Sequence, residues 1–139
     1  MGSCVFHDTD ASLRERRLFE IVERAYGQKE LVLVYVPTPQ RAAAVDRILW
    51  INKQEAFIPH EIVPSGETGV SVPVAIVTAE EDPIGAEVLV ADGHCSIEFA
   101  ARFRTIHEFV DKSSDALREA CRARFRAYRA LQFSVEYSK

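Results

Sequence analysis

The sequence predicts an α/β protein: a single three-layer α/β/α domain over residues 1–139, with a mainly parallel central sheet, Rossmann-like but without a phosphate-binding loop. Three observations carry this reading. Leu31-Val32-Leu33-Val34-Tyr35-Val36 is a continuous apolar, β-branched run without polar alternation, which suits a strand covered on both faces. Helical periodicities lie on either side of it, giving the alternation from which three-layer domains are built. The first strand–helix junction, His7-Asp8-Thr9-Asp10, offers no glycine to admit a phosphate and two acids to repel one.

In chain order, Val5-Phe6 is a short apolar start and Asp8-Thr9-Asp10 a cap. From Ala11 to Tyr26, the residues Leu13, Leu18, Phe19, Ile21, Val22 and Tyr26 recur at helical spacing. Gly27 follows, where a C′ residue must reach positive φ. The strand at 31–36 ends at Pro37-Thr38-Pro39, and Gln40 to about Ile51 reads as a second helix. Phe57-Ile58-Pro59-His60 reads either as a buried connector into a short strand or as an exposed partner contact. Val74-Ala75-Ile76-Val77 and Val88-Leu89-Val90 are two more core strands. Phe103 to Val110 is short and rich in β-favouring residues, so a strand is preferred over a helix. Ser113-Ser114-Asp115 caps a last helix running to about Leu131. The order of strands in the sheet does not follow from these patterns.

Composition narrows the function. Hydrophobic residues make up 47% and charged residues 27%, as in an ordinary globular protein, and no apolar run approaches the ~18 residues of a membrane span. The first ten residues lack a basic segment followed by an apolar one, so nothing directs secretion and the cytoplasm is the expected compartment. Position 6 is Phe6, where a myristoylation signal needs Ser or Thr. Cys4, Cys95 and Cys121 are odd in number and far apart, implying neither a disulfide framework nor a zinc site. His94-Cys95 reads as loop. No cofactor is expected.

The net charge of −4 is split. Residues 1–111 hold 10 Lys/Arg and 18 Asp/Glu, or −8; residues 112–139 hold 7 and 3, or +4. An acidic body with one basic segment opposes a long polyanion yet offers a local anion site. Ser65-Gly66-Glu67-Thr68-Gly69 has no Lys-Ser/Thr after it and reads as a turn or mobile loop. Thr78-Ala79-Glu80-Glu81-Asp82 reads as a solvated acidic loop. No catalytic triad spacing appears.

The last helix has two faces. At ~100° per residue, Leu117, Cys121, Phe125, Tyr128 and Leu131 form an apolar stripe, and Arg118, Arg122, Arg126 and Arg129 a second stripe within about 80°. Such a row is ordinarily a solvated face, but like charges at i, i+4 destabilise a helix, and only Glu119 stands near to offset them. Arginine also suits bidentate capture of carboxylates. Arg124 points into the apolar face and is given a structural role, by snorkelling or by a buried salt bridge. Trp50 points roughly 130° from its helix's apolar centre, either capping the core or anchoring a partner.

Two segments resemble a known family: Ile48-Leu49-Trp50 followed by Ala56-Phe57-Ile58-Pro59-His60-Glu61, and Ala123-Arg124-Phe125-Arg126-Ala127-Tyr128-Arg129 with Phe133 soon after. Their order and spacing resemble the chi subunit of the bacterial DNA polymerase III clamp-loader assembly, and the likeness covers essentially the whole chain. It implies a non-catalytic accessory subunit of DNA replication, in contact with nucleic acid only indirectly. Implied partners are the acidic, phenylalanine-terminated tail of single-stranded DNA-binding protein, the psi subunit that links chi to the clamp loader, and in some bacteria a helicase. By this resemblance Trp50, Arg118, Arg122, Phe125 and Arg126 fall at the tail site, Val110 at its wall, and Phe57 at the psi or helicase contact. Arg118 and Arg126 stand where lysine is common, and Phe125 where tyrosine is common, which puts any hydroxyl contact at that position in doubt. The competing readings are a small nucleotide- or phosphate-binding α/β enzyme and direct nucleic-acid binding through the arginine stripe.

Overall fold

The computed structural model describes residues 2–51 and 57–139. Eleven elements follow in order among them: β1 (Ser3–His7), α1 (Ala11–Gly27), β2 (Val32–Tyr35), α2 (Pro39–Ile51), β3 (His60–Ile62), β4 (Val74–Val77), β5 (Val88–Ala91), α3 (Ile97–Ala100), β6 (Thr105–Phe109), α4 (Asp115–Ala130) and β7 (Ser134–Ser138). The seven strands form one sheet in the order β3-β4-β2-β5-β6-β1-β7, and every pairing is parallel. The first strand therefore lies between the last two.

Alternate residues of each central strand serve different layers. Val32, Val34, Val74, Ile76, Val88 and Val90 pack with Leu18, Val22, Val45 and Leu49 of α1 and α2. Leu33, Ala75, Leu89, Cys4, Phe6 and Ile106 face the other way, toward Phe99 of α3 and Tyr128 of α4. This double burial is why the strands read as unbroken apolar runs. Cys4, Cys95 and Cys121 are free and buried. No described helix is long and apolar enough to cross a membrane.

The structure corrects several local expectations. Gly27 stays helical; the left-handed residue is Lys29, at φ 62. The Lys29 N–H donates to the Tyr26 carbonyl and the Glu30 N–H to that of Ala25, a Schellman closure two residues later than the glycine suggested. Leu13 and Leu131 are exposed rather than core, because Leu13 sits in the first turn of α1 and Leu131 is already the cap of α4. The chain does not end on a helix: Gln132 takes φ 71 and turns it into β7. Asp10 caps α1 by accepting from the Leu13 N–H. The acids of the 78–82 loop bind backbone, with Glu80 accepting from the N–H and hydroxyl of Ser96 and Asp82 from the Ala86 N–H.

Two polar clusters tie the layers together. Just past β5, Asp92 accepts from Arg41 at 2.6 and 2.9 Å and from Arg14 at 3.2 Å, joining the starts of α1 and α2 to the sheet. On β1 and β6, the Arg17 guanidinium donates to Nδ1 of His7 at 3.0 Å. A guanidinium cannot accept, so the His7 proton sits on Nε2 and is donated to Nδ1 of His107, 2.9 Å away. Burial, with Arg17 adding to it, holds the His7 ring down at about 4; burial, with His7 adding to it, holds His107 at about 3.

Both rings are therefore neutral in the folded protein at neutral pH, while their unfolded counterparts titrate near 6.5. As pH falls from about 6.5 toward 4, the unfolded chain takes up protons that the folded rings refuse, and stability drops. The loss should be roughly 1–2 kcal/mol per ring by pH 5. Urea denaturation at pH 7.5 and 5.0 measures it, and a His7→Asn/His107→Asn double variant should show a smaller difference between the two.

Candidate functional site

Underneath α4, a buried ion network sets the helix on the sheet. Glu108 on β6 is 1% exposed and accepts from Arg124 Nε at 3.0 Å and Nη2 at 2.6 Å, and from the Tyr128 hydroxyl at 2.5 Å. Arg124 Nη1 donates to the Cys95 carbonyl at 2.6 Å. Burial alone would lower the Arg124 pKa, but its hydrogen bonds to Glu108 more than reverse that, and the guanidinium stays charged. Burial and the neighbouring Glu108 charge raise the Tyr128 phenol. Arg124 thus makes a buried salt bridge, the second of the two roles its position allowed.

With Arg124 and Tyr128 facing inward, the flank of α4 that carries Arg118, Arg122, Phe125 and Arg126 faces outward over the ends of β6, β1 and β7. There it lines a cavity of about 320 Å³, together with Phe6, Val110, Lys112, Cys121 and Tyr137. Phe6 and Phe125 form the apolar floor, with ring centroids 5.3 Å apart. The volume is at the low end of the ~300–1,000 Å³ typical of small-ligand sites. Ser114 caps α4 by accepting from the Leu117 N–H at 3.1 Å.

The cations of the rim are not uncompensated, as the sequence suggested. Arg118 pairs with Asp115 at 3.1 Å, and Glu119 takes Arg126 at 3.0 Å and Arg122 at 3.6 Å. Lys112 binds Asp8 at 3.0 Å, and the Tyr137 hydroxyl donates to the same carboxylate. That bond to Tyr137, followed by the one to Lys112, holds Asp8 below the usual carboxylate range and raises the Tyr137 phenol to about 12.

Five of the residues expected at a tail site, Val110, Arg118, Arg122, Phe125 and Arg126, are brought together in this one cavity. Trp50 is not among them. It lies on α2 at the opposite end of the sheet, with its ring 5.2 Å from Phe57 and 5.2 Å from His60. The structure does not bring Trp50 together with the arginines, because α2 packs against β3 and β4 while α4 packs against β7. Trp50 and Phe57 are both exposed there with their rings in contact, near the edge strand β3; Ala56, the start of the second half of that motif, lies outside the described residues. His60 Nδ1 donates to the Ile58 carbonyl at 2.7 Å, and its Nε2 lies 3.1 Å from Asp46.

Lys112 and Tyr137 are cavity residues that sequence reasoning missed. Tyr137 had a signal, the alternation Val135, Tyr137 against Ser134, Glu136, Ser138. Lys112, two residues before the helix cap, had none beyond its charge.

The fold and site define a class: Rossmann-like α/β domains without a phosphate loop, carrying a cation-rimmed apolar hollow on an outer helix. The family model described as DNA polymerase III chi subunit, HolC, matches residues 1–136. The DNA polymerase III subunit chi of Escherichia coli (strain K12) is 26% identical over 122 residues, 87% of this chain and 82% of that protein. The corresponding subunit of Pseudomonas aeruginosa is 28% identical over 132 residues, 95% of this chain and 90% of that one. The chain belongs to the DNA polymerase III chi subunit family, a replication accessory subunit.

The network under α4 makes a sharp stability prediction. Arg124→Met leaves the Glu108 carboxylate buried without its cation and should cost about 3–5 kcal/mol, read as a fall in the urea midpoint. Adding Glu108→Gln to the same chain should recover much of the loss.

Proposed function

We propose that this chain is a non-catalytic adaptor of the replicative polymerase, and that its α4 groove receives the acidic, phenylalanine-terminated tail of single-stranded DNA-binding protein. The observation that supports this most is the combination in one cavity of Lys112, Arg118, Arg122 and Arg126 around a floor of Phe6 and Phe125. Guanidinium forks suit a terminal carboxylate and the tail's aspartates, while the hollow between Val110 and Phe125 suits the terminal ring. Affinity should be on the order of micromolar and should weaken as salt rises, because the cations are solvent-exposed.

On this reading Trp50 and Phe57 form a second contact, for a psi-like subunit or a helicase. Exposed aromatic anchors are the usual hot spots of such contacts. The two surfaces lie at opposite ends of a seven-stranded sheet, roughly 25–30 Å apart at ~4.8 Å per strand. That separation lets both partners bind at once, as linking requires. Against the nucleotide-enzyme reading stands the Asp92–Arg41–Arg14 cluster just past β5, at the carboxyl ends of the strands, where Rossmann-like sheets hold ligands.

Arg122→Glu should weaken binding of an acidic peptide ending in phenylalanine by about tenfold or more, followed by titration calorimetry, with the melting temperature nearly unchanged. Equal affinity in this variant would remove the groove from consideration. Phe57→Ala should keep the peptide affinity yet lose the second partner in a pulldown from the native cytoplasm; loss of both, or of neither, would contradict the two-surface arrangement.

A further inference from the structure

The rim of the α4 cavity is already occupied by the protein's own acids, and one of them stands apart. Asp115 pairs with Arg118, and Asp8 is shared by Lys112 and Tyr137. Glu119 instead bridges two arginines of the rim, Arg122 and Arg126, one through each carboxylate oxygen. It reaches forward three residues to one and seven to the other; Glu119 is not itself part of the cavity lining, so it holds the two guanidinium groups from the flank of the cavity. The Arg126 hydrogen bond, with the Arg126 and Arg122 charges, holds the Glu119 carboxyl below the usual range, so the bridge is ionised at neutral pH. Arg122 and Arg126 are 66% and 65% exposed in their side chains and Glu119 is 59% exposed, which leaves all three free to swing apart.

Resting on the assignment of this groove to an acidic peptide, we propose that Glu119 is an internal competitor: a specificity-determining carboxylate that occupies the Arg122–Arg126 fork until a peptide carboxylate displaces it. Binding is then an exchange of one carboxylate for another rather than the gain of a new pair. Two consequences follow. A ligand with a single weakly placed acid gains little, because it must displace an acid of equal charge; a ligand with a terminal carboxylate and further acids gains the difference. The exchange also lowers the salt sensitivity of binding, since the rim is screened from within before the ligand arrives. In the free protein the same residue serves the fold, by offsetting the repulsion of Arg118, Arg122 and Arg126 at successive i, i+4 positions.

The test is Glu119→Gln in the full chain, titrated with a synthetic acidic peptide ending in phenylalanine at several salt concentrations. Gln has nearly the helix propensity of Glu, so the substitution removes the charge and keeps the helix. Affinity should rise by about two- to fivefold, the range spanned by exposed ion pairs, and its dependence on salt should steepen. The melting temperature should fall slightly, opposite in direction to affinity, which a merely damaged helix would not produce. Glu98→Gln on α3, an exposed carboxylate outside the cavity lining, changes the net charge equally and should leave affinity unaltered. Equal affinity of Glu119→Gln and the unaltered chain would overturn the competitor role, as would an equal rise in Glu98→Gln. Failure of the unaltered chain to bind the peptide would overturn the groove assignment and this proposal with it, so the two failures are told apart.

Discussion

A carboxylate can sit beneath α4 only because Arg124 and Tyr128 reach down to it from one helical turn. An unpaired ion at Glu108 would be prohibitive in that setting, and its hydrogen bonds to both partners leave α4 no freedom to roll on the sheet. The rotation of the helix decides everything else along it. Arg124 is two residues from Arg122 and two from Arg126, so each stands about 200° around the helix from it. Anchoring Arg124 inward forces those two outward, beside Phe125. The same anchoring keeps Phe125 over Phe6 and lets β7 leave α4 at an angle that brings Tyr137 alongside. One buried charge thus orients an entire surface of exposed ones.

The sheet's central strands were legible because their environment is uniform: strands covered on both faces leave unbroken apolar runs, and three such runs map onto β2, β4 and β5, while β6, with His107 and Glu108 in it, was read as a strand from its β-favouring residues. What escaped notice was whatever departs from that rule. The strand β7 is an edge with one wet face, so Val135 and Tyr137 alternate with polar residues and no run appears. The helix α3 is one turn long, too short for periodicity. The strand order could not be read because nothing local tells β1 that it will be enclosed by β6 and β7. At the groove, helical spacing alone placed Arg118, Arg122, Phe125 and Arg126 on one flank, and the structure keeps them there. Trp50 was grouped with the arginines by the family resemblance and not by the wheel, which gives a direction relative to α2 and says nothing of where α2 lies in the sheet. The counter-ions Asp8 and Asp115 were likewise invisible as such, since pairing is a matter of proximity in space.

Charge is distributed so that the interior clusters and the surface ones do different work. Asp92 draws Arg14 and Arg41 together at the carboxyl ends of the strands, and in doing so fills a crevice that related architectures leave open. The Arg14 guanidinium also lies 4.8 Å from the centroid of the Phe109 ring, locking α1 against β6. Burial keeps His7 and His107 neutral, and the Arg17 guanidinium, by donating to His7, fixes the direction of the hydrogen bond between the two rings. None of these groups is available to a ligand without breaking a tertiary contact. The arginines of the α4 rim are paired with the exposed acids Asp115 and Glu119, so they can exchange partners at little cost to the fold.

The insertion of β1 between β6 and β7 has a kinetic side. Cys4 is in register with Ile106 and with Val135, pairings that close loops of roughly the whole chain length and give the topology a high contact order. During synthesis the first strand must wait for its neighbours until β6 and β7 have emerged. The groove draws Phe6 from one end of the chain and Tyr137 from the other, so it cannot be assembled on a partial product. A chain stopped before β7 would lack Tyr137 and with it one wall of the groove.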